Sequence, residues 1–283
     1  MKGLAYYKKF LFRLLKYSAS TLLGTGVDML VLWVFSHFIL DGRYDFTYSN
    51  QRYGSRTNFS VLHLSFETAG NLLAGIGNLT GIETDSNGVR QILGVPYAQY
   101  VRLGTEWTRY HYIGNKSSFV SRLLLGIGLP YGNSISMPYE KSFFGGGPTS
   151  MRAWQLRHLG PGAYYGSEDM LERVGDLQLV LNLEGRFPIV GIFEGALFAD
   201  IGNVWLLNAS EQYPGGEISW NSIPTQLAVG IGFGLRLSVS IATLRLDLGI
   251  PLYDPGYTPS QRFRPPHWHF NQIVSNFGIN YPF

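Results

Sequence analysis

From residue 43 onward, apolar and polar side chains alternate with a period of two in segments of about ten residues. That is the pattern of strands whose two faces meet different surroundings. It is cleanest in residues 177–187, where Leu177, Leu179, Leu181 and Leu183 oppose Gln178, Asn182, Glu184 and Arg186. The same alternation predicts strands over 44–49, 58–69, 98–112, 119–129, 193–205, 227–237, 242–250 and 270–283, about nine in all. In the last of them Ile273, Phe277, Ile279, Tyr281 and Phe283 are expected on one face. Short turns at 52–56, 114–116, 188–191 and 238–240 interleave with long polar or Gly/Pro-rich connections at 70–96, 130–175, 207–225 and 253–269.

Tight turns at one end and long loops at the other are how membrane β-barrels are built, with an apolar outer band and a polar interior. A soluble sandwich also alternates, but its polar face is not expected to carry Arg and Glu beside a uniformly Leu/Ile/Phe face. About nine strands is an awkward number, because bacterial single-chain barrels have even counts and an open edge in lipid leaves backbone groups without partners. The chain is therefore expected to lack strands that its barrel needs. The fold class expected is all-β: a partial transmembrane antiparallel β-barrel preceded by one N-terminal transmembrane α-helix.

That helix comes from a different pattern. Lys2, Lys8, Lys9, Arg13 and Lys16 precede residues 17–40, which are apolar with Asp28 as the single formal charge. The run is long enough to span a bilayer with its basic end in the cytoplasm, and longer than the core of a secretory signal. Asp28 reads equally as a functional or partner-seeking carboxylate and as a helix-end residue beside Gly24, Thr25 and Gly26. Residues 16–40, KYSASTLLGTGVDMLVLWVFSHFIL, resemble the first membrane helix of the GtrA family of small inner-membrane proteins linked to polysaccharide and lipid-linked sugar handling. A basic-flanked helix and barrel strands carry incompatible addresses. Two parts are thus expected, 1–42 a foreign fusion and 43–283 the C-terminal part of an outer-membrane barrel.

Composition agrees with the barrel: of 283 residues 14% are charged, 15% are aromatic and 35 are glycine, with mean hydropathy +0.03. The net charge of +3 is spread along the chain outside the N-terminus, which disfavours a nucleic-acid partner. There is no cysteine, hence no disulfide or thiolate site. Gly230, Gly232 and Gly234 are followed by no helical pattern and read as small residues facing a crowded lumen, not a nucleotide loop. His267 and His269 have no evident third ligand. No metal, cofactor or enzymatic chemistry is expected.

One connection stands apart. Residues 141–162, KSFFGGGPTSMRAWQLRHLGPG, hold Arg152 between Met151 and Ala153-Trp154, while the following strands place Glu184 and Asp200 on their polar faces. If the loop folds into the lumen, Arg152 can pair with both carboxylates where water is scarce. Gly145, Gly146 and Gly147 would let its backbone turn inward. Together with 176–187, 197–205 and the last strand, this loop resembles the C-terminal barrel of the BamA/TamA outer-membrane assembly-factor superfamily, the bacterial surface antigen family, in its TamA-like branch. The family's inward loop carries (I/V)-R-G-(F/Y), matched by Met151-Arg152-Ala153-Trp154 with alanine for glycine and tryptophan for the smaller aromatic.

The resemblance implies an inward-loop lock of Arg152, Ala153 and Trp154 on the Gly145–Gly147 turn, with Glu184 and Asp200 as acceptors. It implies insertion or export of β-barrel or surface proteins, without ATP, through a seam between first and last strands. Unfolded outer-membrane or surface proteins would be the clients, with the lipid bilayer and outer-membrane lipoproteins as partners. Phe277, Gly278, Ile279, Tyr281 and Phe283 would form the aromatic-ended terminal strand signal. Pro282 fits either a weakened seam or a plain strand end. The family normally adds periplasmic POTRA repeats and seven or so more strands. The competing readings are a porin-like barrel and, from residues 1–40, an inner-membrane component.

Overall fold

The computed structural model describes residues 42–283 except 53–55, 82–83, 86–87, 93, 115, 167–172 and 240–241. The helix expected at 17–40 and its GtrA-like stretch lie outside the described residues. Nine strands form one antiparallel sheet: β1 (Gly42–Ser49), β2 (Phe59–Ala69), β5 (Tyr100–Ile113), β6 (Ser117–Pro130), β7 (Leu177–Val190), β8 (Phe193–Trp205), β9 (Ala228–Val239), β10 (Ala242–Tyr253) and β11 (Val274–Ile279). Each pairs with its neighbour in the chain, as short reversals and crossing-free long loops require. Among the described residues β1 pairs with β2 alone and β11 with β10 alone.

The alternation decides which face is which. Leu64, Phe66, Leu103, Trp107, Leu125, Leu197, Phe233 and Phe277 are exposed on the outer face. Asn182, Glu184, Asp200, Arg236 and Asp247 are fully buried on the inner one. A soluble protein would invert this. In a bilayer the exposed apolar band meets acyl chains, and the polar groups satisfy each other inside.

Three expectations change. The 70–96 connection, read as a plain loop, holds helix α1 (Asn71–Thr80) and a ribbon of β3 (Gln91–Ile92) with β4 (Val95–Pro96). Gly70 at φ 82° and Gly81 at φ 68° bracket the helix in a backbone conformation that favours glycine. The 207–225 connection ends in a short helix, α2 (Ile223–Gln226). The last strand occupies only Val274–Ile279 and not 270–283, because Pro265–His267 and Phe270–Gln272 are 3-10 turns and Asn280 has φ 68°. Tyr281 and Phe283 therefore do not continue the outward row of Phe277 and Ile279. The Tyr281 hydroxyl donates to Glu194 Oε2 at 2.8 Å, and the Phe283 ring turns back toward Arg122, Arg152 and Arg186.

Candidate functional site

The inner face of the sheet is covered by the connection between β6 and β7. It enters on Phe143, which bridges to Gly175, and passes Gly145, which bridges to Leu159. Gly146 (φ 90°) and Gly147 (φ 96°) then reverse the backbone. Gly145 is not in that left-handed region; a side chain there would sit 2.9 Å from the Leu159 carbonyl, so it serves close packing instead. Beyond the turn, Met151, Ala153, Trp154 and Leu159 pack with Val180 and Ala228 as an apolar cluster that anchors the loop tip.

Arg152 stands at that tip with 0% exposure. Its Nε and Nη2 donate to Asp200 Oδ2 (3.0 Å) and Oδ1 (2.8 Å), a bidentate pair, and its Nη1 donates to Glu184 Oε2. Its own backbone N–H donates to Asp200 Oδ2 at 2.9 Å. The guanidinium lies 3.6 Å from the centre of the Phe198 ring, which Asp200 flanks two residues along β8. Burial works against the charge, but Asp200 and Glu184 outweigh it and hold the Arg152 pKa above the ordinary arginine value. The three site residues expected to meet do meet.

The acceptors are shared more widely than the motif suggests. Glu184 Oε1 also accepts from Arg186 Nε (2.7 Å) and Arg236 Nη2 (3.1 Å). Asp247 on β10 accepts from Arg236 Nη1 (2.6 Å) and Arg245 Nη1 (2.7 Å), and lies 4.0 Å from Arg152. Asp200 Oδ1 accepts from Asn182 Nδ2 at 2.7 Å. Glu184 thus serves three arginines, whereas Arg152 is the one cation paired with Asp200 among the described residues.

The backbone of the tip is held as firmly as its side chain. Arg245 donates to the Pro148 carbonyl (3.1 Å), Arg122 to that of Thr149, Asn182 to that of Ser150 (2.7 Å) and Asn276 to that of Arg152 (2.9 Å). Those donors come from β10, β6, β7 and β11, so one short stretch of loop ties strands across the sheet. Buried carbonyls need such partners. Trp154 completes the clamp: its indole N–H donates to Asp254 Oδ2 at 2.8 Å, just past the end of β10. Burial pushes the Asp254 carboxyl above the ordinary range, against the indole and the Gly256 N–H, which favour its charge.

Glycines on the strands make the room. A Cβ at Gly249 would lie 2.6 Å from the Arg152 carbonyl, and one at Gly230 would lie 2.6 Å from the Ala153 side chain and 3.0 Å from Trp154. Gly232 and Gly234 are filled likewise by Phe198 and by the Arg236–Asp247 pair. The spaced glycines of β9 are therefore sockets for side chains and loop.

The model of the Omp85 superfamily domain matches residues 70–265, more than half of the chain. The chain belongs to the Omp85 superfamily. Its BamA-type members are assembly factors of the bacterial outer membrane, not enzymes. Over 86 residues the chain is 31% identical to outer membrane protein assembly factor BamA of Neisseria meningitidis serogroup B, which covers 29% of this chain and 11% of that protein. BamA from Haemophilus ducreyi lacking POTRA domains 1–3 aligns over 84% of this chain and 53% of that one, at 14% identity and TM-score 0.43. The chain thus spans about half or less of these Omp85 relatives. Arg152, Glu184 and Asp200, with their turn and aromatic neighbour, were accessible to sequence reasoning. Asp247, Asp254, Asn182, Asn276 and the arginines at 122, 186, 236 and 245 were not assigned partners. Their signal was their place on the polar faces of strands, which becomes specific only once register is fixed.

Proposed function

We propose that residues 43–283 are the C-terminal part of an Omp85 barrel that inserts or exports β-barrel or surface proteins without ATP, with Arg152 as the lock of its inward loop. The observation that carries this is the burial of Arg152 against both Glu184 and Asp200 at the tip of a loop tied to four strands. A channel for free diffusion gains nothing from an interior filled this way. A barrel that must stay rigid while one edge opens does gain, because the tie engages inward side chains of β6, β7, β10 and β11 and not the backbone edge at which β11 would pair. The opening edge in this reading is β11: six residues long, bounded by Asn280, and paired only to β10 among the described residues. An incoming client strand would add to such an edge by backbone pairing. Unfolded outer-membrane proteins are the clients and outer-membrane lipoproteins the accessory partners in this proposal.

The test is Arg152→Glu introduced into the native gene, with assembly of outer-membrane barrels followed by their heat-modifiable mobility. Loss of client assembly while the variant itself remains folded in the outer membrane supports the assembly role. Normal client assembly with altered ion conductance would instead make the chain a porin-like barrel.

A further inference from the structure

Outside the barrel wall, at the long-loop end of β5 to β8, the 206–226 connection overhangs the outer face of the sheet and encloses a groove of about 610 Å³. Its floor is outward-facing Leu103, Leu125 and Leu177, and its roof is Ile218, Trp220 and Ile223. Among the described residues no charged side chain lines it. The roof is built, not draped. Leu206 N–H donates to the Gly216 carbonyl and Ile218 N–H to the Leu206 carbonyl, both at 2.9 Å. Leu207 N–H donates to Asp176 Oδ2 at 3.0 Å, and the Trp205 indole to Gln226 Oε1 at 2.8 Å. The overhang is therefore fixed to the strand ends on both sides.

We propose that this groove holds one acyl chain of a membrane lipid. Its floor is continuous with the apolar band that faces the bilayer, so the molecules that reach it first are lipids. Its volume is within the range of about 300–1,000 Å³ usual for small-ligand sites, and its lining offers contact without hydrogen-bonding demands. A client polypeptide fits less well. β5, β6, β7 and β8 are each paired on both sides, so an entering strand would bring backbone groups with no partners into an apolar cleft. Trp220, 82% exposed, stands at the mouth at the long-loop end, where the aromatic girdle of a barrel meets the headgroups. An acyl chain caught there would be part of the wall and not of the fluid annulus.

The chain in vesicles carrying a trace of phosphatidylethanolamine with a diazirine at mid-acyl chain tests this. Photolabel at Leu125 and Trp220 should exceed several-fold that at Phe233, a lipid-facing residue of similar exposure to Leu125 outside the groove. Trp220→Ala, a change on an exposed loop residue, should lower the Leu125 label to the Phe233 level and leave Phe233 unchanged. Leu125→Trp, which fills the groove from its floor, should remove the Trp220 label. Equal labelling of groove and reference, or indifference to both substitutions, would reduce the groove to ordinary annular surface. Displacement of the lipid label by an unfolded barrel-protein peptide would assign it to a client and overturn the proposal.

Discussion

Replacing Arg152 by methionine, of similar length but without charge, separates its two acceptors energetically. Glu184 keeps Arg186 and Arg236 as partners, at 2.7 and 3.1 Å. Among the described residues Asp200 keeps only the Asn182 amide and the N–H of residue 152 itself, and it is fully buried. The penalty therefore concentrates on Asp200. Removing one partner of a buried ion pair costs about 3–5 kcal/mol, most of it the burden of the charge left behind. Asp200→Asn in the same chain removes that charge and should restore about 2–3 kcal/mol, a coupling at the upper end of what contacting residues show. Glu184→Gln should restore less, and alone should be the more damaging single change, because it removes the carboxylate charge that three arginines share. The assay is urea unfolding of the intact chain folded in detergent, followed by tryptophan fluorescence, as a double-mutant cycle over positions 152, 184 and 200. A cost for Arg152→Met below about 1 kcal/mol, the value of an exposed pair, would refute the burial argument. Stronger coupling of Arg152 to Glu184 than to Asp200 would refute the assignment of partners.

Two further tests address how the loop is seated. Gly249→Ala drives a methyl into the Arg152 carbonyl and should cost about 1–3 kcal/mol by overpacking, while Gly185→Ala, where a methyl meets nothing within 4 Å, should be nearly neutral. Protease cleavage within 143–162 should rise in the first variant alone. Trp154→Phe removes the indole N–H that favours the charged carboxylate, so the Asp254 pKa, followed by carboxyl carbon NMR, should rise further. Because that pKa already lies above its unfolded value, the contribution of Asp254 to the folded loop is complete at acid pH. It is lost as pH climbs through the folded pKa, and the substitution should move that loss to higher pH.

What could be read from the sequence was what the two solvents of a barrel impose locally. A lipid-facing row must be apolar at every second residue whatever lies opposite, so β7 announced itself through Leu177, Leu179, Leu181 and Leu183, and the strands came out in the right order. Glu184 and Asp200 were legible because they are carboxylates on the polar faces of consecutive strands, and Arg152 in a glycine-rich loop was the cation that could answer them. The final strand was overextended for the converse reason: the alternation continues through Tyr281 and Phe283, but Asn280 adopts a left-handed conformation that no periodicity encodes. The clamp on the loop backbone was illegible in principle. Arg245, Arg122, Asn182 and Asn276 reach Pro148, Thr149, Ser150 and Arg152 only because four strands hold one register. A one-residue slip in any of them would send that donor to the lipid face. The same holds for Gly230 and Gly249, whose lack of a side chain is a cavity for a loop far away in sequence. In this barrel the loop that looks like an insertion is thus the element against which the register of the strands is checked. That accounts for a substitution as small as a methyl at Gly249 being expected to disturb a site built around Arg152.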